Sequence, residues 1–294
     1  MINVIGFYKF KKISNLKKLQ NSIRNYLAEK LINGTVIIAP EGINGTIAGK
    51  KENIEECINY IKKKTNIRKF DSKNFSKIKY QPFNRPKIKI KNEVVPIGLK
   101  LTSKEKIKNK YVDPKDWNKL IKKKNIKVID VRKTMEFRLG TFKYAEDAKI
   151  KNFREFPSYF KELNKNKKIA MFCTGGIRCE KAANFLRKKG FQDIYQLEGG
   201  ILNYLKNIKK KNSLWKGECF VFDKRVTLKH ALKPGKYIIC SACRTPISPT
   251  EIKSKKYTKD ISCPYCFDKL TKKRKKKLII RKKQNKFLKT IKNL

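Results

Sequence analysis

The stretch that most restricts the fold is an apolar run, KIAMF, followed at once by CTGGIR and the helical pattern EKAANFLRKKG. A short apolar run fits a buried strand, and two adjacent glycines permit a tight turn before a helix that begins near Cys179. Strand and helix patterns alternate from Trp117 to about residue 212, including KVIDVR and DIYQLEGG. This alternation predicts a parallel sheet, with CTGGIR at the carboxyl end of one strand.

The first 100 residues follow a different pattern, in which strands and helices alternate in the order β-α-β-β-α-β. This order predicts a ferredoxin-like split βαβ unit, with Cys57 buried in its second helix. We therefore expect a multidomain α+β and α/β protein. Its predicted parts are a ferredoxin-like domain (1–100), a polar connector (101–116), an α/β domain (117–212), a cysteine-bearing segment (213–271) and a basic tail (272–294).

The formal charge of +52 predicts attraction to a polyanion such as tRNA, although lysine is spread along the whole chain in a way that AT-rich codons also favour. The N-terminus lacks the apolar core of a signal peptide, and no apolar run of about 18 residues follows. We expect a cytoplasmic protein with no membrane role and no obligate protein partner. Eight cysteines then indicate metal or thiol chemistry rather than disulfides.

Cys173 opens the loop CTGGIR and is the predicted reactive group. The N–H groups of a glycine turn and the positive end of the following helix stabilise a thiolate, which lowers the pKa of the thiol. The predicted anion cradle consists of Thr174, Gly175, Gly176, Ile177 and Arg178. Cys179 is either a second, resolving thiol or a small residue packed on the sheet.

Four residues separate Cys173 from Arg178, a smaller ring than cysteine phosphatases use, so a sulfur-sized anion fits better than phosphate. Here the sequence resembles the rhodanese family, whose landmarks fall on IDVR (with Asp130 and Arg132), Glu136, CTGGIR and LEGGI. In that fold, Asp130 and Arg132 are expected to be structural or to lie near the site. Taken alone, the loop indicates a sulfurtransferase.

The wider set EGINGTIAG, CTGGIRCEKA, LEGGILNY, FVFD and the later cysteine pairs resembles the tRNA uridine(34) hydroxylase family. That resemblance implies an acylphosphatase-like N-terminal domain, a rhodanese domain, and oxygen-dependent conversion of the wobble uridine to 5-hydroxyuridine. It also implies that Cys173 is essential, that molecular oxygen is the co-substrate, and that the anticodon region of tRNA is the partner. A rhodanese-type sulfurtransferase and a non-catalytic RNA-binding protein are the alternatives.

Two CxxC pairs stand 19 residues apart, a spacing typical of a zinc ribbon with four thiolate ligands. The predicted ligands of a structural zinc ion are Cys240, Cys243, Cys263 and Cys266. Reduced free thiols or a redox pair are the alternative. The single histidine argues against a Ser-His-Asp triad, and the sequence contains no P-loop, GxGxxG or flavin motif.

Overall fold

The computed structural model describes residues 1–98 and 110–291, which form two compact units. The first unit contains the described residues up to Lys224 together with Leu228–Lys233. The second contains Arg225–Thr227 and the described residues from Pro234 onward. Within the described ranges, no helix combines the length and the apolar character needed to cross a bilayer.

The first unit begins with a five-stranded sheet in the order β4-β1-β3-β2-β5. Its elements are β1 (Ile2–Phe10), α1 (Leu16–Glu29), β2 (Asn33–Ala39), β3 (Gly42–Gly49), α2 (Lys51–Thr65), β4 (Ser72–Ile78) and β5 (Pro86–Ile90). Neighbouring strands are antiparallel except β2 and β5. The predicted split βαβ arrangement is confirmed, with β5 added at one edge.

The two faces of this sheet differ because side chains alternate along each strand. One face carries Ile5, Phe7 and Ile47, which pack against α1 and α2 in a single apolar core. Cys57 is fully buried in that core, as predicted, and burial raises the pKa of its thiol to about 12. The opposite face carries polar residues near its centre. This face is turned toward the second sheet of the same unit.

The second sheet is parallel throughout and has the order β6-β11-β10-β7-β9, which confirms the predicted α/β architecture. Its elements are β6 (Lys110–Val112), α3 (Pro114–Ile121), β7 (Ile126–Asp130), α4 (Thr134–Leu139), β8 (Gly140–Phe142), β9 (Ala145–Asp147), α5 (Phe156–Tyr159), β10 (Lys168–Phe172), α6 (Ile177–Lys188), β11 (Ile194–Leu197) and α7 (Gly200–Asn207). Apolar clusters cover both faces of this sheet.

The predicted connector 101–116 overlaps this second sheet, because β6 pairs with β11 and α3 starts at Pro114. The connector's residues 101–109 lie outside the described residues. Three short strands follow α7: β12 (Trp215–Gly217), which pairs with β8, β13 (Cys219–Phe220) and β14 (Thr227–Leu228).

The second unit is built around a small cluster of buried cysteines and Ile247. Its elements are β15 (Ile238–Ile239), β16 (Pro246–Ile247), α8 (Pro249–Ile252) and α9 (Lys272–Ile291). The helix α9 occupies most of the predicted basic tail, and its three last residues, 292–294, lie outside the described part of the chain. Leu278 is the buried anchor of α9, whereas the lysines around it are exposed.

Candidate active site

Cys173 follows β10, the central strand of the parallel sheet, at its carboxyl end. Gly176 has a φ of 99°, a left-handed conformation that favours glycine, and it is the N-cap of α6. The helix begins at Ile177, two residues before the predicted start. The Gly176 N–H donates to the Cys173 sulfur over 3.2 Å, and N–H groups of the first helical turn also point to this sulfur.

The LEGGI segment holds the loop from its other side. Gly200 has a φ of 68°, and a Cβ there would lie only 2.5 Å from the carbonyl oxygen of Cys173. The N–H groups of Ile201 and Leu202 donate to the carbonyl oxygens of Cys173 and Thr174 over 3.0 and 3.1 Å. The close approach requires glycine at position 200, which explains why this segment accompanies the cysteine loop.

Several groups combine to stabilise the Cys173 thiolate. Burial alone disfavours the charged form, but the Cys179 thiol, the Arg178 charge and the N–H groups of both residues outweigh it. The pKa of Cys173 falls from its ordinary value to about 6. A large fraction of this cysteine is therefore thiolate at neutral pH, as the sequence predicted for a reactive group.

Arg178 forms an ion pair, which the loop sequence alone did not predict. Its guanidinium donates to Glu136 Oε2 and Oε1 over 2.7 and 2.9 Å and to Thr174 Oγ1 over 3.2 Å. Glu136 is fully buried, a position that would raise its pKa, yet Arg178 and Arg132 keep the pKa of this carboxyl below its ordinary value. Arg178 is thus held by Glu136, and its charge stabilises the Cys173 thiolate together with the backbone N–H groups.

Asp130 and Arg132 form a second ion pair with no exposed side-chain surface. Two guanidinium nitrogens of Arg132, Nε and one Nη, donate to the Asp130 carboxylate over 2.9 and 2.6 Å, and the same Nη donates to the Gly140 carbonyl over 2.5 Å. Thr141 donates to the same carboxylate over 3.0 Å. These contacts tie the end of β7 to β8, in keeping with the expected structural role.

The other two cysteines near the loop are poor nucleophiles. Burial raises the pKa of Cys179 well above its ordinary value, and the Cys173 sulfur, which accepts from this thiol, raises it further. Burial also raises the pKa of Cys219 to about 12. Cys179 acts here as a hydrogen-bond donor to Cys173, and its role as a resolving thiol stays a prediction.

The helix that follows the loop carries a buried lysine that reaches the N-terminal sheet. Lys181 Nζ lies 2.7 Å from Glu41 Oε1 and 2.6 Å from Glu93 Oε2, and the Lys181 side chain has no exposed surface. Glu41 also accepts the N–H of Val94 over 2.8 Å. The EGINGT turn and the CTGGIRCEKA motif therefore meet through an ion cluster, which accounts for their occurrence in one sequence.

Glu180 makes a second connection at the same place. Its Oε1 accepts hydrogen bonds from the hydroxyls of Tyr111 and Tyr8 over 2.6 and 3.3 Å. Burial and the nearby carboxylate raise the pKa of Tyr8 well above its ordinary value, so this hydroxyl stays protonated and donates. The loop side of α6 is thus fixed to β1 and β6.

A cleft of about 640 Å³ opens over Cys173, between the loop and the polar face of the N-terminal sheet. Cleft volumes of roughly 300–1,000 Å³ are typical of small-molecule sites. Among the described residues that line it, Lys133, Arg154 and Arg178 are cationic and none is acidic. Asn44 and Asn74 contribute neutral amides. The cleft therefore offers a thiolate, neutral polar groups and two further cations to an electronegative ligand.

Of the predicted cradle, Thr174, Gly175, Ile177 and Arg178 line this cleft with Cys173. Sequence reasoning missed the wall that lies across from them, because those residues are more than 90 positions away in the chain. The sequence contained one signal of this wall, the segment CEKA. Its charged residues follow a buried cysteine on a helix that packs on a sheet, so they need partners of opposite charge.

The four cysteines of the second unit lie together as predicted, with sulfur atoms all within 4.8 Å of one another. The distances are 3.6 Å for Cys243–Cys263, 3.8 Å for Cys263–Cys266 and 4.0 Å for Cys240–Cys266. Tetrahedral ligation with Zn–S bonds of about 2.3 Å separates sulfurs by about 3.8 Å. This donor set could hold a metal ion.

Comparisons with known proteins agree with this organisation. The family model of the UPF0176 acylphosphatase like domain matches residues 2–94, and that of the Rhodanese-like domain matches residues 113–207. A tRNA uridine(34) hydroxylase of Pelagibacter ubique is 57% identical over 284 residues, which cover 97% of this chain and 94% of the relative.

Two solved structures each match about a third of this chain. A rhodanese-related protein from Thermoplasma volcanium is 28% identical, with a TM-score of 0.29 and coverage of 33% of this chain and 90% of that chain. A rhodanese-like domain protein from Staphylococcus aureus is 27% identical, with a TM-score of 0.29 and coverage of 32% and 90%.

Proposed function

Because the chain belongs to the tRNA uridine(34) hydroxylase family, we infer that it is an enzyme that hydroxylates uridine 34 of tRNA. We propose further that molecular oxygen is the co-substrate, that 5-hydroxyuridine is the product, and that Cys173 is the reactive group. The observation that carries the last point is the lowered pKa of a thiol, about 6, at the floor of an open cleft without acidic residues among its described lining.

The proposed reaction begins when the Cys173 thiolate adds to C6 of uridine, which makes C5 electron-rich. C5 then bonds to one atom of molecular oxygen, and a proton completes a hydroperoxide. Two equivalents of a thiol reductant convert the hydroperoxide to a hydroxyl, with release of a disulfide and water. Loss of the C5 proton expels the Cys173 thiolate and restores the ring, so uridine, oxygen and two thiols give 5-hydroxyuridine, disulfide and water.

A neutral, planar base suits this cleft better than a small sulfur-bearing anion. The cradle arginine is already paired with Glu136, and the wall across from Cys173 carries amides and hydroxyls. Lys133 and Arg154, which also line the cleft, are placed to hold phosphates next to the target nucleotide. We propose that the exposed lysines of α9 bind the phosphate backbone of tRNA without reading its sequence. We also propose that the enzyme works in the cytoplasm.

Isotope labelling tests the reaction. Purified protein, tRNA bearing uridine 34 and a thiol reductant are incubated under ¹⁸O₂, and the nucleosides are analysed by mass spectrometry. We expect 5-hydroxyuridine that carries one ¹⁸O atom, and no product without oxygen. Label taken from water, or a thiolated nucleoside in its place, would contradict the proposal, and the latter result would indicate a sulfurtransferase.

We also propose that the four cysteines of the second unit bind a structural zinc ion. We expect one zinc per chain by plasma mass spectrometry, and a Cys263→Ser variant that loses the metal and unfolds this unit at a lower temperature. Cys57→Ala is the matched control, since Cys57 lies in the core of the first unit and should leave the metal content unchanged. Full metal content in Cys263→Ser would exclude this ligand set.

A further inference from the structure

The wall of the cleft across from Cys173 comes from the polar face of the N-terminal sheet. Its side chains form two cross-strand rows. The register places Asn44, Tyr8 and Ser72 opposite one another in one row and Thr46, Gly6 and Asn74 in the next. The cysteine loop reaches this wall at Gly175, where a Cβ would lie 3.7 Å from Asn74 Nδ2.

Gly6 leaves a gap in the second row. Strands are about 4.7–4.9 Å apart, so Thr46 and Asn74 are separated by two such spacings with no side chain between them. A flat recess of this kind admits the edge of a planar ring. All three residues line the same cleft as Cys173.

The orientation of the Asn74 amide is fixed by its partners. Its Nδ2 donates to the Gly199 carbonyl over 3.3 Å and to Ser72 Oγ over 3.2 Å. A carbonyl oxygen can only accept, so the NH₂ group must face Gly199, and Oδ1 must be the other end of the amide. Among the residues that the structure describes, none donates to this oxygen. Asn74 therefore presents an acceptor in a set direction.

Asn44, on the same wall, differs in this respect. Its side chain makes no hydrogen bond to any residue in the described part of the chain, so its amide is able to turn by 180°. A freely turning amide can offer either a donor or an acceptor, so it cannot distinguish a base with a donor from a base with an acceptor at the same position. Asn74 can distinguish them, because its acceptor points in one direction.

We propose that Asn74 Oδ1 accepts the N3–H of the target uracil and so selects uracil over cytosine at position 34. Uracil carries a hydrogen at N3, whereas cytosine has a lone pair there, which would face the amide oxygen without a proton between them. Mismatched polar groups in a partly closed site lower affinity by about 10- to 100-fold. This inference rests on the proposed function, because it assumes that the base enters the cleft over Cys173.

Binding to three RNAs tests the role of Asn74. The full chain with Cys173→Ala, which prevents turnover, is titrated with fluorescent anticodon stem-loops that carry uridine, cytidine or 3-methyluridine at position 34. We expect the parent to bind the uridine RNA about 10- to 100-fold more tightly than the other two. Adding Asn74→Ala should remove the uridine preference, so that all three affinities become equal within error.

Asn44→Ala is the matched control, because it removes an amide from the same wall whose acceptor is not fixed in direction. This variant should preserve the uridine preference. A loss of structure in Asn74→Ala would weaken all three RNAs together, whereas a lost acceptor changes the ratio. A ratio that Asn74→Ala leaves unchanged, or a parent without preference, overturns the inference. If wild-type protein then still forms 5-hydroxyuridine, the proposed function stands, and if it forms none, the proposed function itself has failed.

Discussion

Cys173→Ser is expected to lower the rate of 5-hydroxyuridine formation by on the order of a thousandfold or more. A serine hydroxyl is not ionised at neutral pH, so the cradle that stabilises a thiolate has no anion to hold. Cys173 is the only cysteine among the described residues that line the cleft, and no other thiol there can replace it. The product is quantified by mass spectrometry of nucleosides from tRNA treated with wild-type or variant protein.

Alkylation supplies an independent measure of the same thiolate. In wild-type protein the iodoacetamide reaction rate of Cys173 should rise with pH around a midpoint of about 6, because deprotonation creates the nucleophile. In denatured protein the midpoint should return to about 8.5. Cys57→Ala is the matched control and should retain both the activity and the midpoint. If the Cys173→Ser variant still forms a substantial amount of 5-hydroxyuridine, Cys173 does not take part in the reaction.

Lys181→Met should reduce the free energy of unfolding of the first unit by about 3–5 kcal/mol. The substitution keeps an unbranched side chain of similar length but leaves the carboxylates of Glu41 and Glu93 without their shared cation. Burial of such charges without a partner is costly, whereas removal of the whole cluster is much less so. Chemical denaturation followed by intrinsic fluorescence measures the difference.

Two further variants separate charge from packing. Lys188→Met, on an exposed position of the same helix, should change the free energy of unfolding by less than about 0.5 kcal/mol. The triple variant Lys181→Met, Glu41→Gln, Glu93→Gln should recover much of the stability lost in Lys181→Met alone. If the single and triple variants are equally unstable, packing and not charge explains the effect.

The sequence predicted the local features of the site because they depend on residues close together in the chain. The apolar run before Cys173 predicted the strand, and Gly175 and Gly176 predicted the turn. The helical spacing of the residues that follow predicted the helix. The CxxC spacing likewise predicted that four sulfurs would lie together, as they do. Periodicity and spacing suffice for features of this kind.

The remaining features depend on tertiary contacts that no short pattern encodes. The pairing of Arg178 with Glu136 depends on the relative positions of α4 and α6, whereas the sequence predicted Arg178 only as part of the anion cradle. The roles of Tyr8, Asn74 and Lys181 arise only when the N-terminal sheet lies against the loop. Tyr8 and Asn74 look like ordinary strand residues in the sequence. Only Lys181 carries a signal, because a charged residue so close to a buried cysteine needs a partner of opposite charge.

The composite cleft also affects what happens during synthesis. Ribosomes release the N-terminal segment first, and domains commonly fold in that order. The wall that bears Tyr8 and Asn74 can therefore be complete before Cys173 leaves the exit tunnel. An exposed thiol with a low pKa is readily oxidised. Because the wall is synthesised before Cys173, the time during which newly made enzyme can be inactivated by oxidation is shorter.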